Sequence, residues 1–88
     1  MKVEFRERFA KDLRDVKDRA LLNRVKQVIG IVEQAQQIDQ IPSIKRLRSA
    51  GPYYRVRVGD YRIGLVIDGD TATFVRFLHR KDVYRYFP

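Results

Sequence analysis

The chain has no cysteine and no tryptophan, and only one methionine, one histidine, three prolines and five glycines in 88 residues. Without thiols there are no disulfides, zinc-thiolate centres or cysteine nucleophiles, and nothing asks for an oxidising compartment. Sparse Gly and Pro exclude a low-complexity chain. Wholly apolar runs stop at three residues, as in Leu65-Val66-Ile67, far below the roughly 18 that span a bilayer. No signal-peptide core follows Met1. A cytoplasmic, unexported protein with no membrane partner is expected. Paired carboxylates, a Gly-rich phosphate loop and a Ser/His/Asp set are also missing, so neither those catalytic routes nor a cofactor is expected.

What is present suffices for one folded domain over residues 1–88. Hydrophobic residues make up 44% and charged residues 34% of a 10.5 kDa chain. A domain this small buries only about 60–65% of the surface its unfolded chain exposes, so a binding partner would add needed stability. Acidic residues are the scarcer charge: 19 Lys and Arg against 11 Asp and Glu give +8. Residues 1–44 hold nine basic and seven acidic side chains, while residues 45–88 hold ten and four. Eight of those ten cations are Arg, whose planar fork suits bidentate phosphate contacts. The excess points to a polyanion such as nucleic acid, or to an acidic protein partner.

Residues 2–5 alternate polar and apolar and predict a short strand. Phe5, Phe9, Leu13 and Val16 recur at helical spacing, with Arg6, Glu7, Lys11, Asp12 and Arg14 facing outward. Asp18 is placed to cap a second helix whose apolar set is Leu21, Val25, Val28, Ile29 and Val32. Helices joined this tightly form an antiparallel hairpin. Asp39 to Gly51 reads as a connector, with Ile41, Ile44 and Leu47 tucked against the core and Lys45, Arg46 and Arg48 as a basic cluster. From Tyr53 the period becomes two. Tyr54, Val56 and Val58 alternate with Tyr53, Arg55 and Arg57. After Gly59-Asp60, Tyr61, Ile63, Leu65 and Ile67 alternate with Arg62, Gly64 and Val66, which is a β-hairpin with a two-residue loop. Asp68-Gly69-Asp70 turns into a further strand, Thr71 to Leu78. The expected class is α+β: a two-helix hairpin on one face of a small, mainly antiparallel twisted sheet.

Loop length fixes the hairpin register. Val58 pairs with Tyr61, Arg57 with Arg62, Val56 with Ile63 and Arg55 with Gly64. Like charges directly opposed across a sheet repel, so the Arg57–Arg62 pair is better explained as an anion site than as stabilisation. If Asp68 to Asp70 form a three-residue loop, Arg76 extends this row across the sheet. Tyr54, Val56, Val58, Ile63, Leu65, Ile67, Val75 and Phe77 are expected on the face that the helices cover. Arg80 continues the basic face by parity. Tyr84, four residues on, would overhang the same cleft if the tail coils. His79 falls on the core parity, where a packed or capping role is the commoner one.

These motifs, namely Phe5-x-x-x-Phe9-x-Lys11-Asp12-Leu13, Leu47, Tyr54 to Ile63 and His79-Arg80-Lys81-Asp82-Val83-Tyr84-Arg85, together resemble the RelE/ParE superfamily of toxins, in particular its RelE branch. The resemblance covers nearly the whole chain. It implies a type II toxin that cleaves messenger RNA in the ribosomal A site, and a cognate antitoxin whose acidic segment wraps the toxin in a hetero-oligomer. It also places cleaving groups at Arg55, Arg57, Arg62, Arg80 and Tyr84, while the basic charge of the chain itself suggests further RNA contacts at Lys45, Arg46, Arg48, Arg76, Lys81 and Arg85. The family member with the best-understood chemistry has Lys where this chain has Arg55 and Arg57. An Arg is a poor proton shuttle, so those two would supply charge. The implied reaction is metal-independent: the 2′-hydroxyl attacks the adjacent phosphorus, giving a 2′,3′-cyclic phosphate and a free 5′-hydroxyl. The alternative from the other branch is a non-enzymatic inhibitor of DNA gyrase; an inactive relative that binds only antitoxin or nucleic acid is a third.

Overall fold

The computed structural model describes residues 1–47 and 51–88. Strand β1 (Lys2–Phe5) leads into helix α1 (Glu7–Arg14) and helix α2 (Arg19–Gln34), followed by a 3-10 turn at Ile38–Gln40. Strands β2 (Ile44–Arg46), β3 (Tyr53–Val58), β4 (Tyr61–Asp68) and β5 (Thr71–His79) come next, and a one-turn helix α3 (Val83–Tyr86) ends the chain. Asp18 caps α2 as its side chain predicts, accepting the Leu21 amide at 3.1 Å. Phe5 closes β1 instead of opening α1, and its ring stacks on Phe74 and Phe9 at 5.3 and 6.1 Å.

The five strands lie in the order β1-β5-β4-β3-β2, with β1 parallel to β5 and every other neighbour antiparallel. Helix α1 packs against β5, and α2 lies against β1 and β3. Their apolar stripes meet the predicted sheet face in a core that includes Phe9, Val25, Val32, Val56, Val58, Ile63, Leu65, Phe74 and Phe77. Fully burying a side chain of this kind stabilises by about 1.5–3 kcal/mol, so this one face carries most of the apolar stabilisation. The α+β class and the mainly antiparallel sheet stand as read from the sequence.

Several details differ from the sequence reading. Ile44–Arg46, expected within a connector, adds an antiparallel edge strand to β3, and Ile44 shares the core-side row with Val56. The β4–β5 loop has two residues, not three, because Asp68 pairs with Thr71. A register shift at Gly64/Leu65 then leaves Val75 as an extra residue on β5, so Leu78 stands opposite Arg62 and Arg76 opposite Gly64. Arg76 therefore does not stand opposite Arg62; it falls in the row of Arg55 and Gly64, with its guanidinium paired to Asp12. Val75 is turned from the helix side and joins a second cluster.

Asp12, expected to face outward, is 13% exposed and satisfies the sheet edge. Strand β1 ends at Phe5, opposite Phe74, so β5 beyond that point lacks a ladder partner on this side. Asp12 fills the gap: its carboxylate accepts the Phe77 amide at 2.9 Å and both Nε and Nη2 of Arg76 at 2.8 and 3.2 Å. On the face away from the helices, Leu47, Val83 and Phe87 form a small second core with Tyr53, Val75 and Leu78. Leu47 thus belongs to the opposite side from Ile41. Arg48 lies outside the described residues.

Candidate functional site

The β3–β4 hairpin forms in the register its sequence dictates. Arg57 faces Arg62, Arg55 faces Gly64 and Val58 faces Tyr61, with Gly59 in the left-handed region at φ 59° to make the turn. On the outer side of β3, Lys45 pairs with Arg55, so β2 widens the basic row by one strand. The far end of β5 returns to the same turn, where the Arg80 amide donates to the Asp60 carbonyl at 2.8 Å. Three separate elements therefore deliver cations to one end of the sheet.

Side-chain contacts show how these cations are held. Nη1 of Arg62 donates to the carbonyls of Gly59 and Tyr61 at 2.9 and 2.8 Å, which draws the guanidinium over its own turn. Nη1 of Arg55 donates to the Ser43 carbonyl at 3.1 Å, while its Nε is buried without a hydrogen-bond partner. A buried, unpaired donor on a cation is costly, and an anion would satisfy it. Arg62 is held below its ordinary pKa, first by burial and then by the positive charges of Arg55, Arg57 and Arg80, whereas Tyr84 acts in the opposite direction. The register sets Arg55, Arg57 and Arg62 on one side of the hairpin, the Arg80 amide is held at its turn, and Tyr84 acts on Arg62 from α3. The electrostatics of this patch favour a ligand with concentrated negative charge.

Tyr84 sits on α3, 66% exposed, beside a groove of about 280 Å³ that it lines with Lys45, Arg46 and Leu47. The basic cluster of the connector thus reaches the same cleft through Lys45 and Arg46, although Nε and Nη2 of Arg46 also hold the Gly51 carbonyl. Lys81 and Arg85 are exposed on the segment that carries Tyr84, Arg85 with its guanidinium 5.4 Å from the Tyr86 ring. Arg76 is excluded by its pairing with Asp12. His79 acts structurally: Nδ1 accepts the Lys81 amide at 3.2 Å and the ring meets Tyr61 edge-on at 5.4 Å. No group of three or more His, Asp or Glu that could hold a metal occurs among the described residues. No helix among them is long and apolar enough to cross a membrane. Gly64, which faces Arg55, and Phe87, which packs with Val83 beneath α3, carry no chemical signal in sequence.

A family model described as "ParE toxin of type II toxin-antitoxin system, parDE" matches residues 3–84. The chain belongs to the RelE/ParE superfamily of type II toxins. It is 42% identical to Toxin RelE3 of Methanocaldococcus jannaschii, with all of both chains covered. Its fold superposes on a toxin chain in the RelB-RelE antitoxin-toxin complex of Methanococcus jannaschii with a TM-score of 0.81 at 39% identity, covering 97% of this chain and 99% of that one. The RelE-RelB complex of Pyrococcus horikoshii gives a TM-score of 0.74 at 20% identity over 90% and 93% of the two chains, which is likeness of fold. This superfamily toxin therefore displays its arginine patch on a RelE-type scaffold.

Proposed function

We propose that this toxin is a ribosome-dependent endoribonuclease that cuts messenger RNA in the A site and so stops translation. The observation that carries the reading is the convergence of Arg55, Arg57, Arg62, Arg80 and Tyr84 on one exposed patch, with Arg57 and Arg62 opposed and Arg55 Nε unpaired. RNA supplies its own nucleophile. The 2′-hydroxyl gives up its proton and forms a bond to phosphorus, the bond from phosphorus to the 5′-oxygen breaks, and that oxygen takes a proton. The protein aligns the attack, stabilises the added charge on the phosphorane and manages the two protons. Arg62 and Arg80 clamp the scissile phosphate, Arg55 and Arg57 add charge, and Tyr84 transfers a proton or stacks on a base. Lys45, Arg46, Lys81 and Arg85 guide the flanking RNA backbone, as Arg48 does in this reading.

The partner follows from the same surface. Relatives of this fold occur as RelB-RelE antitoxin-toxin complexes, and a cognate antitoxin would cover the patch with an acidic segment, forming a hetero-oligomer that denies RNA access. Such binding weakens steeply with salt, because exposed charges are screened over about 8–10 Å at physiological ionic strength. A footprint that spared residues 53–62 and 80–86, or affinity flat with salt, would count against it.

The match to a ParE family model favours a second reading, non-enzymatic inhibition of DNA gyrase. Single-turnover cleavage on messenger-programmed ribosomes, run beside a supercoiling assay, separates the two. The expected result is cleavage by the wild type, with Arg62→Ala and Arg80→Ala each slower by about 10²–10³-fold while ribosome binding changes little. Wild-type rates in both folded variants, or growth arrest with intact messenger and blocked supercoiling, would transfer the assignment to gyrase.

A further inference from the structure

We infer that the packing of Phe87 into the notch left by Gly64 is the anchor that positions Tyr84 over the arginine patch, an inference that rests on the cleavage reading above. Helix α3 has four residues, far too few to be helical without tertiary support. Its support comes from two side chains four apart, Val83 at 0% and Phe87 at 3% exposure, while Tyr84 and Tyr86 project into solvent. The Phe87 amide donates to the Val83 carbonyl at 2.8 Å, joining the two points of attachment.

The receiving surface is specific. A Cβ built on Gly64 would stand 2.7 to 2.9 Å from three ring atoms of Phe87, nearer than side-chain carbons approach. The backbone of Gly64 is not in the left-handed region, so this glycine is explained by the approaching ring and not by conformation. The Phe87 ring also meets Tyr53 edge-on at 5.9 Å. Gly64 lies two residues from Arg62 on one face of β4 and directly across from Arg55. A ring seated there sets α3 at a fixed place along the basic row, and with it the reach of the Tyr84 phenol. Gly64 and Phe87 are positioning residues. Neither offers a polar side chain to RNA.

The test uses Gly64→Ala in the full chain, with Phe87→Ala as a second variant that leaves the sheet untouched. Hydrogen exchange is followed at the amides of Arg85, Tyr86 and Phe87, which bond the carbonyls of Asp82, Asp82 and Val83. Both variants should lose protection at these three by about tenfold or more, with the β3–β4 ladder still protected. Single-turnover cleavage should fall to the rate of Tyr84→Ala, and adding Tyr84→Ala to either variant should cost little further, since the tyrosine has already left its place. Retained protection at α3 in both variants overturns the anchor. So does full multiplication of the two losses, or wild-type cleavage by an undocked variant where Tyr84→Ala is slow. The exchange measurement needs no RNA: if the wild type itself cuts nothing, the cleavage reading fails and exchange alone decides whether Phe87 holds α3.

Discussion

Arg57 and Arg62 stand directly opposite each other in the β3–β4 ladder, two like charges on one face of a sheet with no acidic residue between them in the pairing. Opposed cations destabilise a sheet by an amount comparable to what a good cross-strand pair contributes. Replacing Arg57 with Thr, a strong strand former, should raise Tm by roughly 2–5 °C while slowing cleavage. The gain should shrink in high salt, where the repulsion is screened. Thermal unfolding at two salt concentrations checks it, and an unchanged or lower Tm at low salt would show that the pair carries no strain.

The same repulsion predicts a response to anions. Arg62 is held below its ordinary pKa by burial and then by Arg55, Arg57 and Arg80. Its charged form is therefore less favourable in the folded chain than in the unfolded one. That cost is fully present below the folded pKa and fades as pH rises through it toward the unfolded value, so it operates undiminished across neutral pH. An anion on the patch offsets it. Sulfate should raise Tm more than chloride at matched ionic strength, with little change between pH 6 and 8, and Arg62→Gln should remove most of the difference. Equal shifts for both salts in the wild type would sink the idea.

Asp12 and Arg76 predict a change in stability without a change in chemistry. Asp12→Ala strips the Phe77 amide of its acceptor and leaves Arg76, 14% exposed, without its partner. A loss of about 2–4 kcal/mol is expected in denaturant titration. Arg76→Ala keeps the carboxylate on the Phe77 amide and should cost less, about 1–2 kcal/mol. Cleavage per folded molecule should match the wild type in both. A specific defect in RNA binding by Arg76→Ala would restore Arg76 to the nucleic-acid surface.

Local rules made the hairpin legible. Two alternating runs around Gly59-Asp60 fixed which residues face each other, and that alone brought Arg55, Arg57 and Arg62 to one side. The bulge at Val75 was not legible, because parity counting assumes an unbroken ladder and the shift arises where β1 ends and α1 takes over the edge of β5. Asp12 was misplaced for a related reason: helical periodicity sorts residues into inward and outward, but cannot see that a neighbouring strand needs an acceptor. Ile44–Arg46 was hidden by its three-residue length and the Pro42-Ser43 turn before it. Val83 and Phe87 have helical spacing, yet a four-residue helix leaves no repeat to recognise. The opposition of Arg57 and Arg62 was therefore legible, whereas the pairing of Arg76 with Asp12 and the packing of Val83 and Phe87 beneath α3 were not.

In the proposed cleavage reaction, Tyr84 is the group on which the proton chemistry turns. Four arginines can stabilise a phosphorane, but they are poor at exchanging protons near neutrality, and His79 is occupied with the Lys81 amide. The phenol of Tyr84 is exposed beside the groove lined by Lys45 and Arg46 and acts electrostatically on Arg62. Tyr84→Phe keeps the ring and deletes the hydroxyl, so single-turnover cleavage should fall by about 10²-fold with ribosome binding intact. Tyr84→Ala should lose more, because base stacking on an aromatic ring adds about 1–3 kcal/mol. The two variants separate the roles. If Tyr84→Phe cuts at the wild-type rate while Tyr84→Ala is slow, the ring only stacks, and the leaving oxygen must take its proton from solvent or from the ribosome.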